Sequence, residues 1–250
     1  TLGYENRQWE LHQFRSRYHR DEVTNNRGGW AKLEFSKTEH LTSEGYFTYL
    51  KEFKGGHSLN AVAGYSYFEK NGENFNAENY DFGVEGLKYW DLGAGSYLTD
   101  GKAAMGSGKN ITERLFALYA RANYSYNDKY MVSATIRHEG SSKFAAENRW
   151  GNFWALSGGW RVSAEEFMKE FDWVSDLKVR FGYGVTGNND FDASYMANTL
   201  SRDQYWMLPS GSWAYVYGPS SNVNPYLGWE EKKEWNIGVD YSFFGNRMYG

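Results

Sequence analysis

Several residue types able to do chemistry are present, but their spacing argues against it. Gly101 to Asn110 contains Gly106-Ser-Gly108-Lys109, a glycine–lysine run of the kind that cradles phosphates. A phosphate loop needs Gly at position 103 and Ser or Thr at position 110. Ala103 and Asn110 stand there, so the run reads as a flexible Gly/Ser-rich loop. Asp190-Phe-Asp192 after Asn188-Asn189 offers oxygen ligands for calcium, but without the rest of an EF-hand loop it reads as an acidic loop tip. His12, His19, His40, His57 and His138 are dispersed, with no HExxH pair and no GxSxG elbow. No enzymatic activity, metal or cofactor is expected.

A different chemistry gathers between about 188 and 230. Tyr205, Trp206, Trp213, Tyr215, Tyr217, Tyr226 and Trp229 lie there among Ser, Asn and Gly. Flat apolar rings beside hydrogen-bonding edges suit a sugar ring or a protein partner. The competing reading is that these rings pack the loop onto itself.

The elements that must position this loop alternate with period two. Leu118, Ala120, Ala122, Tyr124 and Tyr126 point one way and Tyr119, Arg121, Asn123 and Ser125 the other. After Asn127-Asp128, Tyr130, Val132, Ala134 and Ile136 continue the apolar face, opposed by Met131, Ser133, Thr135 and Arg137. The same alternation predicts strands at roughly 45–53, 58–68, 114–126, 130–138, 151–162, 177–187 and 231–243, with a short one near 30–37 and another from 247.

Connections alternate too. Lys54-Gly55-Gly56-His57, Asn127-Asp128 and Gly245-Asn246 are tight, whereas 69–113, 139–150 and 188–230 are long. Ser163-Ala164-Glu165-Glu166 reads as a capping box opening a brief helix through Met168 and Lys169. Short turns on one side and long loops on the other are the pattern of an all-β, antiparallel, up-and-down transmembrane barrel, with short periplasmic turns and long extracellular loops. Apolar residues then face lipid, and Arg121, Asn123, Arg137, Arg180, Asn236 and Asp240 face the lumen.

Composition agrees with this. The chain has 250 residues, 19% of them aromatic, and aromatic rings collect where one end is apolar and the other wet. No run of about 18 apolar residues exists, which excludes a transmembrane helix but not a barrel strand. A net charge of −4 with no long basic run argues against nucleic acid. Zero Cys removes disulfides and thiolate metal sites.

Arg121 to Asn189 resembles the SusC/RagA-type TonB-linked outer-membrane transporters. The motifs are Arg121-Ala-Asn-Tyr-Ser-Tyr-Asn-Asp-Lys-Tyr130, Ser133-Ala-Thr-Ile-Arg137 and Gly140-Ser-Ser-Lys-Phe144, followed by Asn148-Arg-Trp-Gly151 and Ser157-Gly-Gly-Trp-Arg161. Phe167-Met168, Ser175-Asp-Leu-Lys178 and Tyr183-Gly-Val-Thr-Gly-Asn188 complete the series. Asn25-Asn-Arg-Gly28, Tyr65-Ser-Tyr67 and Tyr89-Trp-Asp-Leu-Gly93 extend it upstream. The resemblance implies import of oligosaccharides or peptides across the outer membrane of a Gram-negative cell. It also implies a SusD-like surface lipoprotein partner and energy from a TonB complex. Residues 1–250 are then expected to be part of one barrel domain, about eight strands of its wall, without the plug domain or TonB box. The alternatives are a soluble all-β carbohydrate-binding or adhesin module, which would bury its apolar faces between two sheets, and a self-contained small porin.

Overall fold

The structure is a computed structural model and describes residues 1–110, 112–191, 200–219 and 224–250. Its strands are β1 (Leu2–Arg15), β2 (Trp30–Phe53), β3 (His57–Tyr80), β4 (Ala104–Lys109), β5 (Glu113–Tyr126) and β6 (Tyr130–Ser141). β7 (Trp150–Arg161), β8 (Val174–Asn188), β9 (Leu200–Met207), β10 (Trp213–Pro219), β11 (Glu230–Phe243) and β12 (Met248–Tyr249) follow. Ten strands form one sheet in the order β1-β2-β3-β5-β6-β7-β8-β11-β12, with β4 added to β3; β9 and β10 form a separate pair. The path ends at β1 and β12 without closing among the described residues. That open path differs from the closed wall a small porin requires, and the sheet has ten strands rather than about eight.

The chain divides into two compact units, Thr1–Leu2 with Thr42–Phe68 and Glu113–Gly250, and Gly3–Leu41 with Glu69–Thr112. In the second unit, a helix α1 (Arg20–Thr24) is held by charge. Glu22 is fully buried and pairs with Arg27 at 2.9 Å and Arg15 at 3.7 Å. Arg27 also lies over the Tyr80 ring and Arg15 over the Trp30 ring, so aromatic faces supply part of the solvation water would have given. β4 occupies the segment read as a Gly/Ser-rich loop, with Gly106 opposite Asn76 and Gly108 opposite Asn74. Sequence alternation gave no sign of it, because glycines mark no face.

The first unit is the alternating wall. β5 and β6 pair from Leu115↔Ser141 to Tyr126↔Tyr130, and the register continues through β7, β8 and β11. The turn between β5 and β6 has both Asn127 and Asp128 at positive φ, with Lys129 N–H donating to the Tyr126 carbonyl at 2.9 Å. Turns of this mirror-image kind match the twist of paired strands, and Asn and Asp tolerate the left-handed backbone they require.

On β6 exposure runs opposite to that of a soluble sheet, and β8 and β11 carry exposed apolar residues on the same side. Val132, Ile136, Phe181 and Ile237 are 46%, 54%, 51% and 62% exposed. Ser133, Thr135 and Arg137, on the other face of β6, are half-buried. A two-sheet module would cover the apolar side, whereas among the described residues no second sheet lies over these side chains.

Between β7 and β8 the structure departs from the capping-box expectation. Two short 3-10 turns, Val162–Ala164 and Glu166–Met168, stand there without a side-chain cap. Ser163 Oγ donates to Asp176 at 2.7 Å instead. Glu165 accepts from the Tyr130 hydroxyl at 2.6 Å, Trp160 Nε1 at 3.1 Å and Lys129 Nζ at 3.1 Å. These three donors hold its carboxyl below the usual range, the Tyr130 bond contributing most. Glu166, the carboxylate of the expected box, pairs with Lys169 at 2.6 Å instead.

Candidate functional site: a polar wall and an aromatic ribbon

The register places Asn123, Ser133, Ser157, Gly182 and Asn236 in one row across five strands. Small residues in the middle of the row leave room, and a cavity of about 390 Å³ opens on this polar face. Asn123, Arg180 and Asn236 line it together with Asn60 and Lys178. The sheet therefore brings together three of the six residues expected on this side. Arg180 is held by Asp240 at 2.6 Å, and Asn123 accepts from Ser133 Oγ at 2.7 Å. Arg137 lies apart from the cavity, forked onto Glu139 at 2.8 and 2.7 Å and reaching Ser66 at 3.2 Å. Arg121 shares the same face, opposite Thr135. Asn60 and Lys178 were not singled out from sequence. Lys178 sits in the same alternation as Arg180, which was the available signal.

The aromatic segment contains two strands where a loop was expected. β9 and β10 pair antiparallel, with Met207↔Trp213 and Tyr205↔Tyr215 in register. The Tyr205 and Tyr215 rings lie 4.5 Å apart at their centroids and their hydroxyls 2.8 Å apart. Trp213, Tyr215 and Tyr217 follow one another at alternate positions, all exposed, with Trp213 and Tyr217 at 67%. Trp206 pairs with Ala214 and so belongs to the opposite face of the ribbon. One face of the ribbon is consequently a row of aromatic rings with hydroxyl and indole N–H edges.

Trp229 has a different role. Its indole donates to the Arg149 carbonyl at 2.9 Å, and its ring meets Phe153 at 5.1 Å and Phe144 at 5.2 Å. Phe144 is 2% exposed and also meets Phe191 at 5.0 Å. Gly187 and Gly151 lie against the Phe153 ring, where a Cβ would collide with it. For Trp229, packing of the loop base is the observed role. Tyr226 is exposed.

Among the described residues, no group of three or more His, Asp or Glu gathers as metal ligands. The Asp190 backbone N–H donates to Asn188 Oδ1 at 3.0 Å, and Asp192 lies outside the described residues.

An unclosed antiparallel sheet, apolar on one face and polar on the other, is a segment of transmembrane barrel wall. The model of the TonB dependent receptor-like β-barrel matches residues 1–250, and the chain belongs to that family of outer-membrane receptors and transporters. Among its relatives is TonB-dependent receptor P39 of Formosa agariphila, 33% identical over 99% of this chain and 23% of that protein. TonB-dependent receptor SusC of Bacteroides thetaiotaomicron is 36% identical over 54% of this chain and 14% of that protein. Of solved structures, the RagAB peptide importer in its closed-closed state superposes with a TM-score of 0.81, at 20% identity, over 99% of this chain and 26% of that one. The likeness to the RagAB importer is one of fold. The chain spans about a quarter or less of the length of the relatives it matches.

Proposed function

We propose that this chain is part of the wall of an outer-membrane importer of a Gram-negative cell. In this reading it takes up oligosaccharides or peptides with a SusD-like lipoprotein and draws energy from a TonB complex through parts of the protein outside these residues. The observation that carries it is the exposure of the apolar face: Val132, Ile136, Phe181 and Ile237 stand open on one side of the sheet, while Asn123, Ser133 and Arg137 on the other are half-buried. Lipid is the solvent in which that arrangement is favourable. Arg121, Asn123, Arg137, Arg180, Asn236 and Asp240 then line the lumen, and the tight turns are periplasmic.

The aromatic ribbon is the substrate-facing element of this reading. Tyr205, Trp213, Tyr215 and Tyr217 present one face to the outside, Trp206 presents the other, and Trp229 seats the loop. The support is that Tyr205, Trp213, Tyr215 and Tyr217 are exposed among the described residues, at the end of the wall where the connections are long. The test is Trp213→Ala combined with Tyr215→Ala in the full-length transporter. Growth on the cognate glycan or peptide should fall while surface expression stays normal. Unchanged uptake would return the ribbon to a packing role.

A further inference from the structure

The bare apolar face is uneven. Ala120 and Ala122 on β5 stand beside Ile136 and Ala134 on β6, and Ala134 stands beside Leu156 on β7. Ala61 and Ala63 continue the same floor, and Phe47 and Tyr49 rise at its far side. Five alanines between bulky walls leave a groove of about 630 Å³, lined almost wholly by carbon. That is within the size range of ligand sites. Filling it in a membrane requires a chain thin enough to lie on the alanine floor.

One charge marks the groove's lower end. Lys51 follows Phe47 and Tyr49 at alternate positions on β2, so it shares their face. It is exposed, and its Nζ lies 5.9 Å from the centre of the Phe53 ring, toward the Lys54–Gly56 turn. A lysine on a lipid-facing strand reaches for the headgroup layer in this way. At the far side of that turn, His57 Nδ1 lies 2.6 Å from the Tyr124 hydroxyl, and its ring lies 4.6 Å from that of Tyr126. Aromatic and polar rings at this level are what a barrel places at a membrane interface.

We infer that the groove is a binding site for one glycerophospholipid of the periplasmic leaflet, its acyl chain on the alanine floor and its phosphate at Lys51. The charge is complementary, and the separation is set by the strand, with cation and groove in consecutive positions of one face. The inference rests on the barrel reading above, because only a membrane-facing wall meets such a lipid.

The test is native mass spectrometry of the full-length transporter released from nanodiscs of phosphatidylglycerol, with heat-modifiable migration as the check of folding. Wild type should retain one lipid through delipidation. Lys51→Gln should lower that retention about fivefold, the effect of roughly one lysine at an anionic surface. Ala122→Phe, which fills the floor, should abolish it; if that variant fails to assemble, Ala134→Leu serves the same purpose. Ile237→Phe, on the same face but outside the groove, should change nothing. Equal retention in all variants, or equal loss with Ile237→Phe, would overturn the site, as would retention of lipopolysaccharide in place of phospholipid. Failure of the barrel reading would look different: the wild-type protein would stay monodisperse without detergent.

Discussion

The Tyr130 hydroxyl donates to Glu165 at 2.6 Å, tying the start of β6 to the connection between β7 and β8. Trp160 and Lys129 donate to the same carboxylate, so one side chain fastens two neighbouring turns. Because these donors favour the charged form, Glu165 binds its proton more weakly folded than unfolded. Its contribution is complete above the ordinary carboxylate value of about 4.3 and is lost as pH falls from there through the lower folded value. Glu165→Gln should therefore lower stability at neutral pH and flatten its acid dependence. Unfolding titrations in lipid between neutral and acidic pH check this, and an unchanged pH slope would remove Glu165 from the account.

The two faces should respond differently to charge. Val132→Arg places a guanidinium on the bare side and should cost about 2–4 kcal/mol near the bilayer midplane. Ser133→Arg, one residue along, enters the polar row and should cost less. Folding equilibria of the two variants in the same lipid measure the difference, and greater sensitivity at Ser133 would reverse the faces.

Accessibility should separate the two ends of the wall. A cysteine at Ser210, in the turn of the aromatic ribbon, should react with a membrane-impermeant reagent on intact cells. One at Lys54, in the β2–β3 turn, should react after the outer membrane is opened. Labelling at Lys54 alone on intact cells would invert the topology.

Trp229→Ala should loosen the loop base rather than weaken binding directly. Losing a half-buried ring between Phe144 and Phe153 should cost about 2 kcal/mol and open the 188–230 segment to protease. Trp206→Ala, on the ribbon's opposite face from Trp213, should leave proteolysis unchanged. Faster cleavage in both variants would show that the ribbon rings also hold the segment.

The wall was legible where one face is bare and the other polar. The hairpin of β5 and β6 and the strands β7, β8 and β11 stand within a few residues of the alternation that announced them, because lipid and lumen impose opposite demands on consecutive side chains. Legibility failed where that demand stops. β1 mixes charges on both faces, and β2 and β3 run for 24 residues each, well past the stretch of clear alternation. β9 and β10 hid among Ser, Gly and Asn, even though Trp213, Tyr215 and Tyr217 alternate. Of the site, the aromatic ring types were readable, but not that Trp229 is packed inside while Trp213 stands out. That distinction depends on Phe144, from the connection between β6 and β7, and Phe153 of β7.

The left-handed pair Asn127 and Asp128 bears on how such a wall is made as well as on its shape. A turn whose backbone is already bent the required way lets β5 and β6 find each other with three residues between them, so little chain entropy is lost before the first cross-strand bonds form. Contacts this close in sequence form on the microsecond scale, long before distant strands can meet. The hairpin is thereby a unit of assembly. Its inner hydrogen bonds close early, and its two outer edges are the ones matched by β3 and β7.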